Sequence, residues 1–298
     1  MGHGRWSTNT YEAAERYRRA RGESAFAYSD SGARKVHPRL DPLGVRVRES
    51  RDSDEHPRST AIAVLFDVTG SMGHVPRVLQ QKLPDLLKLL QRKGYVSDPQ
   101  VLFGAIGDAT CDRVPLQIGQ FESDNRMDED LGLIVLEGGG GGQRTESYEL
   151  AMYFMARHTS LDCWEKRGRK GYLFIIGDEM PYPRVDPRAV RKLIGDTDVE
   201  SMNVEKIVAE LQRTFEVYYI LPEGASYAGD REILGCWRKL LGQNVLQLEN
   251  LDAVCETIAL TIGLAEDAID LRTGLGDLAE VGSAAGNVVA RALDHRWA

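Results

Sequence analysis

Residues 60–73 read Thr-Ala-Ile-Ala-Val-Leu-Phe-Asp-Val-Thr-Gly-Ser-Met-Gly, and their pattern decides the fold. Ala61 to Phe66 is an unbroken apolar run of strand length, the pattern of a strand buried on both faces. The run stops at Asp67. Beyond it Asp67, Thr69 and Ser71 alternate along a glycine-bearing turn. Val78, Leu79, Leu83, Leu86, Leu87 and Leu90 then recur at helical spacing, with Pro76 near the helix start and Pro84 placed to kink or restart it. The first unit is strand, loop, helix.

Further apolar segments follow. Val101 to Ile106 predicts a second buried strand ending at Gly107-Asp108, and Leu116 to Phe121 a third. Five glycines, Gly138 to Gly142, open onto a helix in which Tyr148, Ala151, Met152 and Met155 form a core stripe. His158 near its end reads as a surface or capping histidine. Strands are predicted over 171–176, 215–221 and 244–248, separated by helical segments near 187–213 and 228–242. This alternation predicts an α/β, Rossmann-like fold: a central, mostly parallel sheet with helices on both faces. After Leu251 the chain reads as helix, and Leu278, Val281, Ala285, Val288 and Ala292 mark terminal helices expected to pack on the body.

Composition narrows the class. The 298 residues carry 37 Lys and Arg against 45 Asp and Glu, a net charge of -8, with 42% hydrophobic residues, as in ordinary globular chains rather than disordered acidic ones. No run approaches the roughly 18 to 20 apolar residues of a membrane span, and the first residues lack a secretory pattern, so a cytoplasmic protein without membrane contact is expected. Cys111, Cys163, Cys236 and Cys255 are widely spaced, which predicts reduced, mostly buried thiols rather than a zinc knuckle or a disulfide framework.

Residues 1–59 read as a basic, partly extended N-terminal arm, with a helical pattern at Tyr11 to Arg21 and an alternating piece at Val45 to Arg48. Its composition suits a flexible tail, or a strand or helix laid on the acidic body. Residues 60–265 form the predicted main domain and 266–298 a helical extension. The first 60 residues hold 12 basic and 9 acidic side chains, leaving the body strongly acidic, so a nucleic-acid partner is not expected.

In open parallel sheets ligands gather at the carboxyl ends of the strands, where loops converge and helix N-termini point inward. Three such loops carry acids. The first is Asp67-Val68-Thr69-Gly70-Ser71, the second is the glycine run followed by Gln143-Arg144-Thr145-Glu146-Ser147, and the third is Gly177-Asp178-Glu179. The oxygens in them are hard donors, suited to Mg²⁺, Mn²⁺ or Ca²⁺ rather than zinc or copper.

The segment FDVTGSMG after an apolar strand resembles the DxSxS signature of von Willebrand factor A (vWA) domains and their metal-ion-dependent adhesion site (MIDAS), and the other two loops follow in that family's order. The resemblance covers roughly residues 60–265 and is nearer to the intracellular bacterial members than to the secreted adhesive ones. It implies Asp67, Thr69, Ser71, Thr145 and Asp178 as the metal set. Thr69 replaces the commoner serine and keeps the hydroxyl. The glycine run leaves the register of the second loop open, so Glu146 and Ser147 compete with Thr145, which reads equally well as an N-cap. The third loop has Gly-Asp-Glu where a Thr-Asp-Gly-like sequence is familiar, leaving Glu179 as a competing acid. Asp108 and Asp112 read as a turn, with Asp108 a further candidate beside the site.

What the resemblance implies for function is a metal-dependent protein-binding adaptor without catalysis of its own, in which the ion is completed by an Asp or Glu of a partner protein. Relatives of this type are associated with AAA+ ATPases and with stress or defence complexes. The competing enzyme reading is a haloacid-dehalogenase-like, Mg²⁺-dependent phosphatase with Asp67 as nucleophile. Against it, the position two residues on is Thr69 rather than an acid able to protonate the leaving group, and no lysine stands in a recognisable context among Lys166, Lys170 and Lys192. A nucleotide-binding loop is disfavoured because Gln143 and Arg144 stand where GxxxxGK would need glycine and lysine. A third reading is an interaction protein whose metal site is degenerate.

Overall fold

The computed structural model describes residues 4–139, 142 and 144–297, with the side chains of Ser71, Arg92 and residues 295–297 outside that description. In chain order the elements are α1 (Thr8–Arg21), α2 (Ala27–Asp30), β1 (Arg48–Ser50), β2 (Ser59–Asp67), α3 (Val75–Leu87), β3 (Asp98–Ile106), β4 (Leu116–Ile118) and α4 (Arg126–Gly132). There follow β5 (Thr145–Glu146), α5 (Tyr148–Arg157), β6 (Thr159–Leu161), α6 (Asp162–Glu165), β7 (Gly171–Ile176), β8 (Met180–Pro181), β9 (Arg184–Val185) and α7 (Pro187–Leu193). The chain ends with β10 (Met202–Asn203), α8 (Val204–Leu211), β11 (Phe215–Pro222), α9 (Arg231–Leu241), β12 (Val245–Leu248), α10 (Val254–Ala265), α11 (Leu271–Glu280) and α12 (Gly286–Trp297).

Six strands form the central sheet in the order β12-β11-β7-β2-β3-β4. Every neighbouring pair is parallel except β3 with β4. This is the α/β, Rossmann-like fold expected from the sequence. Along β2 the apolar run splits by alternation: Ile62, Val64 and Phe66 enter one core with α3 and α10, while Ala61, Ala63 and Leu65 enter the other with α5, α8 and α9. Burial on both faces is why β2 reads as a continuous apolar run. From β2 the chain moves to β3 on one side and later returns to β7 on the other, so the carboxyl ends of β2 and β7 flank the point where strand order reverses.

Several expectations are corrected. The third strand stops at Ile118 and not at 121, because Gly119 turns to donate to the Phe103 carbonyl at 2.9 Å and leaves no room for a Cβ, which would stand 2.8 Å from that oxygen. The helical segment near 187–213 is two helices, separated by Gly195 at φ 105° and by β10, which pairs antiparallel with β9 ahead of the first helix. Pro84 lies inside α3 without ending it, and a π-helical turn over Lys88–Arg92 follows.

The N-terminal residues lie against the body. Tyr11, Phe26 and Leu40 are buried, and β1, which begins where the alternating Val45 to Arg48 piece was expected to end, pairs in parallel with β6. His158 closes α5 as its C-cap and is buried, with Nε2 3.0 Å from Asp196 and Nδ1 3.0 Å from the Val45 carbonyl oxygen. From Val254 to Leu264 every residue of α10 is buried, the mark of an interior helix, and α11 and α12 cover it. Cys163 and Cys255 are buried thiols, Cys236 is half-buried and Cys111 is exposed. Among the described residues no helix is long and apolar enough to cross a membrane.

Candidate functional site

The three acid-bearing loops meet. Asp67 ends β2, and Gly177-Asp178-Glu179 directly follows β7, its neighbour in the sheet. A two-residue parallel ladder, Thr145 with Met180 and Glu146 with Pro181, fastens the second loop to the third, helped by the Met180 amide donating to the Arg144 carbonyl at 3.0 Å. The glycine run reaches back to the first loop: the Gly138 amide donates to the Val68 carbonyl at 3.2 Å and the Gly70 amide to the Gly139 carbonyl at 2.5 Å. Gly70 sits at φ 42°, in the left-handed region that glycine enters without a Cβ penalty. Residues 140, 141 and 143 of that run lie outside the described residues.

Asp67 has no solvent exposure. Its Oδ1 accepts from the Thr69 amide and the Thr69 hydroxyl, both at 2.7 Å, and its Oδ2 accepts from the Tyr148 hydroxyl at 3.1 Å. The Thr69 hydroxyl oxygen also lies 3.2 Å from Glu146 Oε1. A hydroxyl has one proton to give, and an ionised carboxylate has none. With that proton directed at Asp67, the contact between Thr69 and Glu146 needs a proton on Glu146 or a cation beside both oxygens.

The other oxygens sharpen the point. Glu146 is buried, and among the described residues its Oε2 has no hydrogen-bond partner; Glu179 Oε2 has none either. Burial pushes the Glu146 carboxyl up to about 10, with the negative charges of Asp67, Glu179, Asp108 and Asp112 adding to the rise. Burial likewise lifts Glu179 to about 8, reinforced by Asp67 and Asp178. Asp67 is pushed up to about 7 by burial, partly opposed by the two Thr69 hydrogen bonds and reinforced by Asp178. The carboxyls crowd together with more negative charge than their surroundings neutralise.

The remaining expected residues have these places. Asp178 is buried, and its Oδ2 accepts from the Tyr227 amide at 3.3 Å, in the loop between β11 and α9. Thr145 is half-buried beside Tyr182 and immediately precedes Glu146, the carboxylate that meets the Thr69 hydroxyl. Ser71 has its backbone in the 3-10 turn over Gly70–His74, and its side chain lies outside the described residues. Asp108 forms the expected turn, with Oδ1 accepting from the Thr110 amide at 2.8 Å; it is also fully buried and its Oδ2 accepts from the Tyr182 hydroxyl at 3.0 Å.

Four aromatic residues that sequence reasoning missed hold these acids. Tyr148 belongs to the core stripe of α5, yet its hydroxyl reaches Asp67. The Tyr219 hydroxyl and Trp237 Nε1 donate to the Glu179 carbonyl at 3.2 and 2.8 Å, and Tyr182 serves Asp108. Glu149, buried with its Oε2 accepting from the Tyr182 amide at 3.2 Å, was also missed. Core spacing was the only sequence signal at Tyr148, and it does not reveal where a phenol's far end points.

Among the described residues no three His, Cys, Asp or Glu side chains make a metal-binding group by themselves. A cation here would need hydroxyl oxygens as well, and Thr69, between Asp67 and Glu146, is placed to supply one. The two partnerless carboxylate oxygens and the hard-oxygen donor set fit a divalent ion of the Mg²⁺ class.

No family model matches the chain, and no curated protein matches it either. Solved structures do. The pilus adhesin SpaC from Lactobacillus rhamnosus GG, in its open conformation, is similar at TM-score 0.49 and 9% identity, over 72% of this chain and 31% of the adhesin. Proximal thread matrix protein 1 from the mussel byssus is similar at TM-score 0.44 and 10% identity, over 76% of this chain and 47% of that protein. The chain thus spans less than half the length of either.

Proposed function

We propose that this chain is a vWA-like domain that binds a divalent cation, Mg²⁺ before Mn²⁺ or Ca²⁺, and uses it to capture an acidic side chain of a partner protein. The observation that carries the reading is the group Asp67, Thr69 and Glu146, where one hydroxyl proton stands between two carboxylates at the strand-order reversal. The ion would supply positive charge and an open coordination position. Thr69 and Glu146 would hold it directly, with Ser71 and Thr145 completing the set from the first and second loops. Asp67 and Asp178, already engaged by Thr69, Tyr148 and Tyr227, would act by orienting these ligands. Glu179 and Asp108 contribute negative charge around them.

The phosphatase reading is less well supported. Asp67 is fully buried, its oxygens turned to Thr69 and Tyr148, which places it poorly for attack on phosphorus. The role proposed is that of an adaptor, with an AAA+ ATPase or a stress or defence complex as the class of partner. Free thiols at all four cysteines support a cytoplasmic location.

The test is calorimetric titration with Mg²⁺ and Mn²⁺, followed by capture from lysate in Mg²⁺ and in EDTA. Wild type should bind the ion, and Glu146→Gln, which loses a charged ligand, and Asp67→Ala, which loses the acceptor that orients Thr69, should each weaken it by about tenfold or more. Proteins retained in Mg²⁺ and released by EDTA would support the adaptor reading. Equal capture in EDTA would overturn it.

A further inference from the structure

His158 stands where α5 ends and β6 begins, and both of its ring nitrogens face acceptors. Nδ1 lies 3.0 Å from the Val45 carbonyl oxygen and 3.2 Å from that of Arg46. A carbonyl oxygen has no proton to offer, so the hydrogen of that contact belongs to Nδ1. Nε2 lies 3.0 Å from Asp196 Oδ2. Burial works to raise the Asp196 carboxyl, but the hydrogen bonds from the Tyr153 hydroxyl, at 2.7 Å, and from His158 prevail and hold it below the usual carboxylate range. Facing an ionised carboxylate, Nε2 donates as well, so the ring carries two protons and a positive charge.

The neighbours leave that charge to Asp196. From α5, Phe154 stacks on the ring with centroids 5.0 Å apart, and Tyr153 and Arg157 act on Asp196 from the same helix. Arg157 is itself paired with Glu210 of α8 at 3.0 Å. The N-terminal segment presents carbonyls to the ring, and the Arg46 side chain is exposed. A neutral ring has one hydrogen. It would set a lone pair either against the two carbonyl oxygens or against the Asp196 carboxylate, in a buried place where such a mismatch is costly.

What the ring holds is the cover of the sheet's edge. The Leu40 carbonyl accepts from the Ile118 amide at 2.8 Å and Arg48 Nη2 donates to the Ile118 carbonyl at 2.9 Å, so this stretch lies along β4, the end strand. The Gly44 amide donates to the Ile194 carbonyl at 2.8 Å, and the Arg48 amide to the His158 carbonyl at 2.7 Å, where β1 meets β6. We propose that His158 is a proton-operated latch: doubly protonated it seats residues 40–48 over the β4 edge, and on losing a proton it releases them. The seated state binds the extra proton, so seating is complete at low pH and is lost as pH rises through and beyond the range of about 5 to 8 in which histidine changes charge. The latch is independent of the divalent-cation site.

Hydrogen exchange of the full chain, corrected for the intrinsic effect of pH on exchange, reads the latch at the Gly44 and Arg48 amides. Their protection should fall by about tenfold or more between about pH 6 and about pH 9, the loss of one charge-assisted hydrogen bond. His158→Gln should be weakly protected there at both pH values. Asp196→Asn is the sharper variant: its amide can donate to Nε2, a neutral ring then satisfies both sides, and protection should stay high and independent of pH. Thermal melts would verify folding, and Asp196→Asn decides the matter alone if His158→Gln does not fold. At pH 6 the nitrogen-15 resonances of the His158 ring should show hydrogen on both nitrogens. Protection that is constant with pH in wild type would overturn the proposal, as would an unchanged pH dependence in Asp196→Asn. An equal fall in the β2 amides would assign the effect to global stability and overturn it too.

Discussion

The Tyr148 hydroxyl donates to Asp67 Oδ2 at 3.1 Å by passing over Gly177, where a Cβ would stand 2.0 Å from the phenolic oxygen. Gly177 therefore answers a packing demand: the residue between the β7 strand and the site acid must leave room for the phenol. Gly177→Ala is expected to displace Tyr148 and cost about 1 to 3 kcal/mol in urea unfolding. Tyr148→Phe removes the hydrogen bond alone and should cost about 1 to 2 kcal/mol. An alanine variant as stable as wild type would show that Tyr148 does not hold Asp67 in this way.

The raised carboxyls set a pH dependence. Asp67 and Glu179, held up to about 7 and about 8, keep protons in the folded chain that the unfolded chain has already released. From about pH 4 to about pH 8 the folded state binds more protons, so stability falls as pH rises. A divalent cation replaces those protons and should offset the fall. Thermal melts in EDTA are expected to drop between about pH 5.5 and about pH 8, and Mg²⁺ should raise the melting temperature more at the higher pH. A melting temperature in EDTA that climbs over that range would refute the linkage.

Much of this was legible beforehand for physical reasons. The apolar run 61–66 and the acid at its end specify a buried central strand and a loop at its carboxyl edge, so β2, Asp67 and the neighbouring Asp178 could be placed from periodicity. The β5–β8 ladder could not: Thr145-Glu146 and Met180-Pro181 are two residues each, too short to show a period, yet they bring Glu146 to Thr69. Nor could the packing of residues 1–59, where burial rests on isolated residues such as Tyr11, Phe26 and Leu40 rather than on a repeating stripe.

At the other end of the sheet Asp52 behaves oppositely to the site acids. Its Oδ1 accepts from the Ser59 amide and hydroxyl at 3.0 and 2.7 Å, and its Oδ2 accepts from Arg167 at 2.6 Å. Burial works to raise its carboxyl, but the Arg167 and Ser59 hydrogen bonds prevail and hold it well below the usual carboxylate range. Its stabilisation is present above about pH 4 and is lost as pH falls below that. Asp52→Asn should cost about 1 to 3 kcal/mol at pH 7 in urea unfolding, and the gap from wild type should narrow as the pH is lowered to about 3. A gap that stays constant would mean the charge on Asp52 contributes nothing.

Pro84 and Tyr11 form a pair that only the structure discloses. Proline lacks an N–H, so inside α3 the Gln80 carbonyl, four residues earlier, loses its helical donor. The Tyr11 hydroxyl supplies one, at 2.8 Å, from a helix 69 residues away in sequence. The Gln80 side chain does not depend on the phenol, because its Nε2 also donates to Asp128 at 3.0 Å. Tyr11→Phe should therefore leave one buried carbonyl unsatisfied and cost about 1 to 2 kcal/mol. In a Pro84→Ala background the restored amide can take over that carbonyl, and the same substitution should cost at least about 0.5 kcal/mol less. Urea unfolding of the four proteins gives the coupling directly, and an equal cost of Tyr11→Phe in both backgrounds would mean that the phenol is not serving the carbonyl that Pro84 leaves open.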